Sequence, residues 1–229
     1  MGNLVRGSWA DTVQRLRRSG TRGDANLKPY ESAEISLERV PIADLVPTAK
    51  YVLKDQLEIV NNLYERSISF GVDIFDLECG VVWPNGPDER PIACPIIELW
   101  EGEGLLVVDG LHRVWAAREK GRSEMTCAVI RNVKIPLVPL PVTWRDVRVF
   151  PPGQFPSNAE KREYRFADAD TLRVAEPSLA AKVTDENARY FLYRNLDELG
   201  SSGIRPPATD ADSIIDGRAR NEGNDEYGS

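Results

Sequence analysis

The run Leu105-Leu-Val-Val-Asp-Gly-Leu-His-Arg113 most narrows what this chain can fold into. Leu105 to Val108 is a short apolar strand, Asp109-Gly110 interrupts it, and Val114 to Lys120 reads as a helix closed by Gly121. A strand that empties directly into a helix must belong to a sheet on which that helix packs, which points to an α+β arrangement of α/β type with a small mixed sheet.

The neighbouring segments extend this plan. Ile96 to Trp100 is a second strand, joined to the first through Glu101-Gly-Glu-Gly, a hairpin signature. Thr126 to Ile130 and Ile35 to Val40 are further strands, and Leu57, Val60, Leu63 and Tyr64 give Lys54 to Ser67 a helical stripe. Pro47 holds Val46 extended. Residues 83 to 91 are dense in turn formers and read as a loop.

Outside this region the chain changes character. Ser8 to Ser19 predicts a short helix capped by Ser8, with Trp9, Val13 and Leu16 on one side and arginines on the other, followed by a flexible link from Gly20 to Asn26. Pro136, Pro139, Pro141, Pro151, Pro152 and Pro156 keep residues 131 to 157 extended, with a strand at Thr143 to Phe150. Helices are expected at Asn158 to Arg165, at Ala167 to Val174 and at Thr184 to Leu199. The expected organisation is a basic arm (1–33), an α+β domain (34–131), an extended then helical C-terminal subdomain (132–205) and a disordered tail (206–229).

Charge follows the same division. The chain of 229 residues carries −7 overall, yet residues 1 to 28 hold six basic and two acidic residues and residues 201 to 229 hold three and six. The body between them is therefore acidic, which argues against broad attachment to nucleic acid, although a local basic groove is compatible with it. Cys79, Cys94 and Cys127 form no Cys-x-x-Cys pair and read as buried reduced thiols. No apolar run approaches the roughly 20 residues of a membrane span, and Met1 to Thr12 has no apolar signal core, so a cytoplasmic protein is expected.

Asp109 to Arg113 is where the sequence suggests chemistry. The N-terminus of a helix offers unpaired N–H groups and the positive end of a dipole, and Gly110 permits close approach of a phosphate. His112 and Arg113, in the first turn, can donate to the same anion, while Asp109 can hold magnesium or accept a hydroxyl proton. The same turn also suits a plain helix start capped by Asp109, and a lone histidine is often only a structural hydrogen-bonding group. Trp83, Trp100, Trp115 and Trp144 lie in or beside apolar runs and read as core; Lys50 and Lys54 read as surface lysines. Tyr190, Phe191 and Tyr193 make an aromatic patch expected to pack the C-terminal helices onto the sheet, as a lid or substrate-side subdomain.

Residues Asp109-Gly-Leu-His-Arg-Val-Trp-Ala-Ala-Arg-Glu-Lys-Gly121, with Pro95-Ile-Ile-Glu-Leu-Trp before them and Thr126-Cys-Ala-Val-Ile after, resemble the ParB N-terminal/sulfiredoxin superfamily. Ile35 to Thr48 resembles its opening strand and turn, so the resemblance spans residues 34 to 131. Sulfiredoxins place a catalytic cysteine where this chain has Leu111, which excludes their reaction. Chromosome-partition ParB proteins bind CTP through a Gly-Glu-Arg-Arg box, and Leu111 and His112 depart from it. The Asp-Gly-x-His-Arg form is similar to that of free-serine kinases of this fold and of some ParB-like antibiotic-cluster regulators.

That subgroup resemblance implies a kinase or NTPase using ATP or ADP, with CTP as a further candidate, and magnesium. Gly110, Leu111, His112 and Arg113 would hold the phosphates, and Asp109 and His112 would serve the reaction at a small hydroxyl-bearing substrate such as serine, Asp109 also serving the metal. The kinases carry a catalytic glutamate just after the Leu-Val-Pro turn, where this chain has Ala49, leaving Asp109, Asp55 or Glu58 as substitutes. The competing expectation is a CTP-binding, DNA-associated regulator, supported by the basic arm from Arg6 to Arg22.

Overall fold

The computed structural model describes residues 4–83, 91–133, 139–157, 161–164, 168–196 and 199. Its centre is a five-stranded mixed sheet formed by β2 (Glu34–Pro41), β9 (Glu124–Arg131), β7 (Ile96–Trp100), β8 (Gly104–Asp109) and β3 (Leu45–Val46), in that spatial order. The pairs β2/β9 and β7/β8 are antiparallel, whereas β7/β9 and β3/β8 are parallel. A short 3-10 turn, Ile42–Asp44, carries the chain from β2 to β3. The fold is α+β, as the pattern of strands and helices predicts.

Alternation along the strands accounts for a sheet buried on both faces. On β9, Met125, Cys127 and Val129 enter one apolar cluster, while Ala128 and Ile130 enter another. The first cluster lies beneath α2 (Lys54–Ser69), which supplies Leu57 and Val60, and α3 (Leu111–Glu119), which supplies Val114, Ala116 and Ala117. Burial on both sides explains why β7 to β9 read as nearly continuous apolar runs.

The second cluster brings the N-terminal arm onto the other face. There α1 (Trp9–Arg18) contributes Leu16, which packs with Tyr30, Ile96, Ile130 and Leu196. Ser8 occupies the cap position but its side chain makes no capping hydrogen bond. The stretch read as a flexible link is instead fastened: Thr21 bridges to Arg194, and the Arg22 and Gly23 N–H groups donate to the Tyr193 and Tyr190 carbonyls at 2.9 and 3.0 Å. Two smaller sheets complete the strands. One joins β1 (Val5–Arg6), β5 (Val81–Trp83) and β6 (Ile92–Ala93); the other pairs β4 (Tyr51–Leu53) with β10 (Arg148–Phe150) in parallel.

The C-terminal part departs from its sequence reading. Among the described residues of the helix expected over Thr184 to Leu199, α-helix is limited to α5 (Ala188–Leu192), because Tyr193 turns extended and Arg194 is drawn to Glu98 on β7; residues 197 and 198 lie outside the described residues. The expected strand at Thr143 to Phe150 is limited to β10, since Thr143 to Asp146 forms a turn held by the Asp146 carboxylate. Of the helix expected at Asn158 to Arg165, residues 161–164 are described and are not helical, and Tyr164 bridges to Pro139. The remainder of that helix, residues 84–90 of the loop and the tail expected at 206–229 lie outside the described residues. The helix expected near Ala167 to Val174 is present as α4 (Ala169–Ala175), capped by Asp168 accepting from the Thr171 N–H at 2.7 Å. Among the described residues, no helix is long and apolar enough to cross a membrane.

Candidate functional site

Because β3 and β8 are parallel neighbours, their carboxyl ends open on the same edge of the sheet. Crevices outside such strand ends are common ligand sites in α/β proteins. The two exits are tied together by Thr48, whose hydroxyl donates to the Val107 carbonyl at 2.6 Å. From β8 the chain turns through Gly110 at φ +85°, a left-handed conformation that strains any side chain. A Cβ there would also lie 2.9 Å from Nη2 of Arg113 and 3.0 Å from Cα of Pro95. The turn thus depends on glycine twice over.

The helix begins directly, at Leu111 rather than at Val114. The Gly110 carbonyl accepts from the N–H groups of Arg113 and Val114 at 2.9 and 3.0 Å. Leu111 and His112 precede these, and their N–H groups have no carbonyl within the helix to reach. No side chain caps α3. The Leu111 side chain itself is buried in the core, so its contribution to the crevice is its backbone.

His112 links two helix starts. Its Nε2 accepts the backbone N–H of Leu53, the residue that caps α2, at 3.0 Å. A ring nitrogen that accepts a backbone N–H carries no proton, so the imidazole is neutral with its proton on Nδ1. Burial pushes its pKa down to about 4, reinforced by the positive charges of Arg113 and Arg162. At neutral pH His112 therefore offers an anion a hydrogen bond but no charge.

Arg113 is not displayed as an open fork. Its side chain is 1% exposed, folded under the turn, with Nη2 3.1 Å from Oδ2 of Asp109. Its Nε and Nη1 are buried without a hydrogen-bond partner among the described residues. The charge of Arg113 thus acts on the turn from beneath. Asp109 is a quarter exposed and uses only one oxygen on Arg113.

Two contributors escaped the sequence reading. One is Thr48. The other is Arg162, from the segment after the sheet, whose Nε donates to Thr48 Oγ1 at 2.9 Å. They are 114 residues apart, and no local pattern couples them. Their neighbours Lys50 and Glu163 form an ion pair at 3.0 Å, so Lys50 is paired; Lys54 is exposed on α2.

The other residues singled out from sequence fall as follows. Ala49 is buried in the core, and Asp55 and Glu58 lie exposed on α2. Trp83 is buried beneath Arg15 of α1, and Trp100 donates to Glu98. Trp115 packs against Trp144, which donates to the Leu45 carbonyl. Phe191 is in the C-terminal core, and Tyr193 packs edge-on against Tyr164, their ring centres 5.4 Å apart.

Asp109, Gly110, Leu111, His112 and Arg113 are thus joined at the strand ends by Thr48 and Arg162. The two arginines outweigh the single carboxylate of Asp109, making this a locally positive spot in an acidic chain. Among the described residues no three His, Cys, Asp or Glu side chains gather into a metal cage. A model of the ParB CE domain family matches residues 11–147. No curated protein and no solved structure matches the chain.

Proposed function

The chain belongs to the ParB CE domain family, which spans more than half of it, and we propose that it is a nucleotide-binding phosphotransferase. In this reading it holds ATP or ADP by the phosphates at the ends of β3 and β8 and transfers a phosphoryl group to a small hydroxyl-bearing molecule, free serine being the model acceptor. The observation that carries the reading is the uncapped start of α3, set among Arg113, Arg162 and Asp109.

Each residue has a defined task. The Leu111 and His112 N–H groups donate to phosphate oxygens, helped by the helix dipole. The neutral His112 ring adds its Nδ1 proton as a donor, and Arg113 offsets phosphate charge from beneath the turn. Phosphoryl transfer has a loose transition state, so catalysis rests mainly on positioning and charge neutralisation. As the bond from the acceptor oxygen to phosphorus forms and the bridging phosphoanhydride bond breaks, the hydroxyl proton must leave. Asp109 is the carboxylate at the crevice able to take it.

Magnesium fits the donor set in one specific way. A single carboxylate suffices when phosphate oxygens and water complete an octahedral shell, and Oδ1 of Asp109 is not engaged by Arg113. Bound there, the ion would supply further neutralisation of the phosphates in place of the proton-accepting role, because the other oxygen of Asp109 is held by Arg113.

Incubation with ATP, ADP or CTP, magnesium and a panel of amino acids and alcohols, followed by phosphorus NMR, tests the proposal. A new phosphomonoester signal supports it; nucleotide binding without any transfer counts against it. That second result would favour a CTP-binding, DNA-associated regulator, a reading that draws on the exposed Arg17 and Arg18 of α1.

A further inference from the structure

Arg162 lies beyond residue 147, where the family match ends, yet its side chain reaches the strand ends that the family domain builds. The link is continuous: Arg162 Nε donates to Thr48 Oγ1 at 2.9 Å, and Thr48 Oγ1 donates to the Val107 carbonyl at 2.6 Å, two residues before Asp109. Thr48 is fully buried, so this is not a surface contact formed by a wandering side chain.

The backbone around Arg162 is fixed from both sides. The Leu140 N–H donates to the Glu163 carbonyl at 2.7 Å, Tyr164 bridges to Pro139, and the Glu163 carboxylate pairs with Lys50. Lys50 is in turn held through its carbonyl, which accepts from the Arg148 N–H at 2.9 Å. Burial works against the Arg162 charge, yet Tyr164, Tyr193, Tyr51 and Asp109 act on the guanidinium electrostatically and hold its pKa above the ordinary value. Arg113, in the same turn as His112, is buried with Nε and Nη1 unpartnered among the described residues. Arg113 and Arg162 both act electrostatically on His112 in the first turn of α3, and Arg113 is paired with Asp109.

We propose that Arg162 is a second phosphate-binding cation, supplied in cis by the C-terminal segment, which selects ligands carrying two or more phosphates over a monophosphate. This rests on the phosphate-site reading above. A phosphate held by the α3 N–H groups lies over Arg113, and the next phosphate along the chain meets Arg162. The C-terminal segment then works as a built-in arginine clamp, fastened to Thr48 by the hydrogen bond to Nε.

The test compares full-length wild type with Arg162→Gln, Arg162→Lys and Thr48→Val by equilibrium dialysis against adenosine, AMP, ADP, ATP and pyrophosphate, with thermal unfolding recorded for each. Arg162→Gln is expected to weaken ADP, ATP and pyrophosphate by about tenfold or more while changing AMP much less, the loss of a charged hydrogen-bonding partner. It is also expected to flatten the salt dependence of ATP binding, and Arg162→Lys to restore part of both. Thr48→Val, which keeps the charge but frees its anchor, should fall between wild type and Arg162→Gln. Equal weakening of AMP and ATP, with unchanged salt dependence, would overturn the proposal and leave Arg162 a structural fastener. Unchanged binding in Arg162→Gln would overturn it while the phosphate site stands. If wild type binds neither nucleotide nor pyrophosphate, the phosphate site fails and the clamp with it. Should Arg162→Gln fail to fold, the Arg162→Lys ratio of AMP to ATP affinity decides, an unchanged ratio counting against the clamp.

Discussion

The backbone N–H of Leu53 donates to Nε2 of His112 at 3.0 Å. The single histidine of the chain therefore serves the start of α2 while standing in the first turn of α3, and its protonation would remove the acceptor that joins them.

This bond makes stability depend on pH in a definite window. The folded pKa of about 4 lies below the ordinary value of 6.5, so between the two the unfolded chain binds the proton that the folded chain refuses. Stability is then fully present above about pH 6.5 and is lost as pH falls toward 4. Urea unfolding at about pH 7 and about pH 5 should differ by roughly 2 kcal/mol from this group. His112→Asn, whose amide oxygen can accept from Leu53 without titrating, should show a much smaller difference. Asp24 and Glu38 have lowered pKa values, so their contributions are lost as pH falls from the ordinary carboxylate pKa downward, at the foot of this window and below it.

Gly110→Ala should cost about 1–3 kcal/mol of unfolding free energy, because φ is +85° and the new methyl meets both Arg113 and the backbone of Pro95. Gly102 also has a positive φ, at +78°, but its Cβ would meet nothing within 4 Å. Gly102→Ala should therefore be milder by urea unfolding and leave ligand binding unchanged, whereas Gly110→Ala should abolish it.

Asp109 and Arg113 should behave as a coupled pair. Asp109→Asn leaves a buried guanidinium without its carboxylate and is expected to lower stability by about 2–3 kcal/mol, below the full cost for a wholly buried pair because Asp109 is partly hydrated. Adding Arg113→Met should return part of that loss. A double-mutant cycle by denaturant titration checks the coupling; strict additivity would show that the contact is energetically idle.

Glu98 carries the largest structural load outside the site. It accepts from Tyr30 at 2.6 Å, from Trp100 at 2.9 Å and from Arg194 at 3.0 Å, with both members of the ion pair buried. Glu98→Gln should cost about 3–5 kcal/mol by urea unfolding, and Tyr30→Phe about 1–2 kcal/mol. Because Arg194 fastens the C-terminal segment, Glu98→Gln should also raise protease cleavage near residues 190 to 196 before global unfolding. Cleavage unchanged at those positions would show that the segment is held by its apolar contacts alone.

Much of this architecture is legible in order along the chain. The exit of β8 through Gly110, the hairpin at Glu101 to Gly104 and the stripe of α2 follow from local rules of spacing and turn chemistry. What escapes is what only the folded chain brings together. Arg113 reads as a donor to an anion, but its side chain is buried and pairs with Asp109 four residues back. Thr48 and Arg162 carry no motif, and the short length of α5 reflects Arg194 meeting Glu98 from 96 residues away. A buried ion pair at that separation overrides a helical apolar stripe, and no window of sequence contains both partners.

The central claim is that phosphates bind at the turn from Asp109 to Arg113, and the one histidine of the chain is placed to report on it. Histidine side-chain NMR of protein labelled at that residue, titrated with ATP and with pyrophosphate, observes His112 alone. Saturable shifts of the His112 ring signals are expected with both ligands and none with adenosine. Signals that stay fixed while dialysis shows ATP bound would place the nucleotide elsewhere and contradict it.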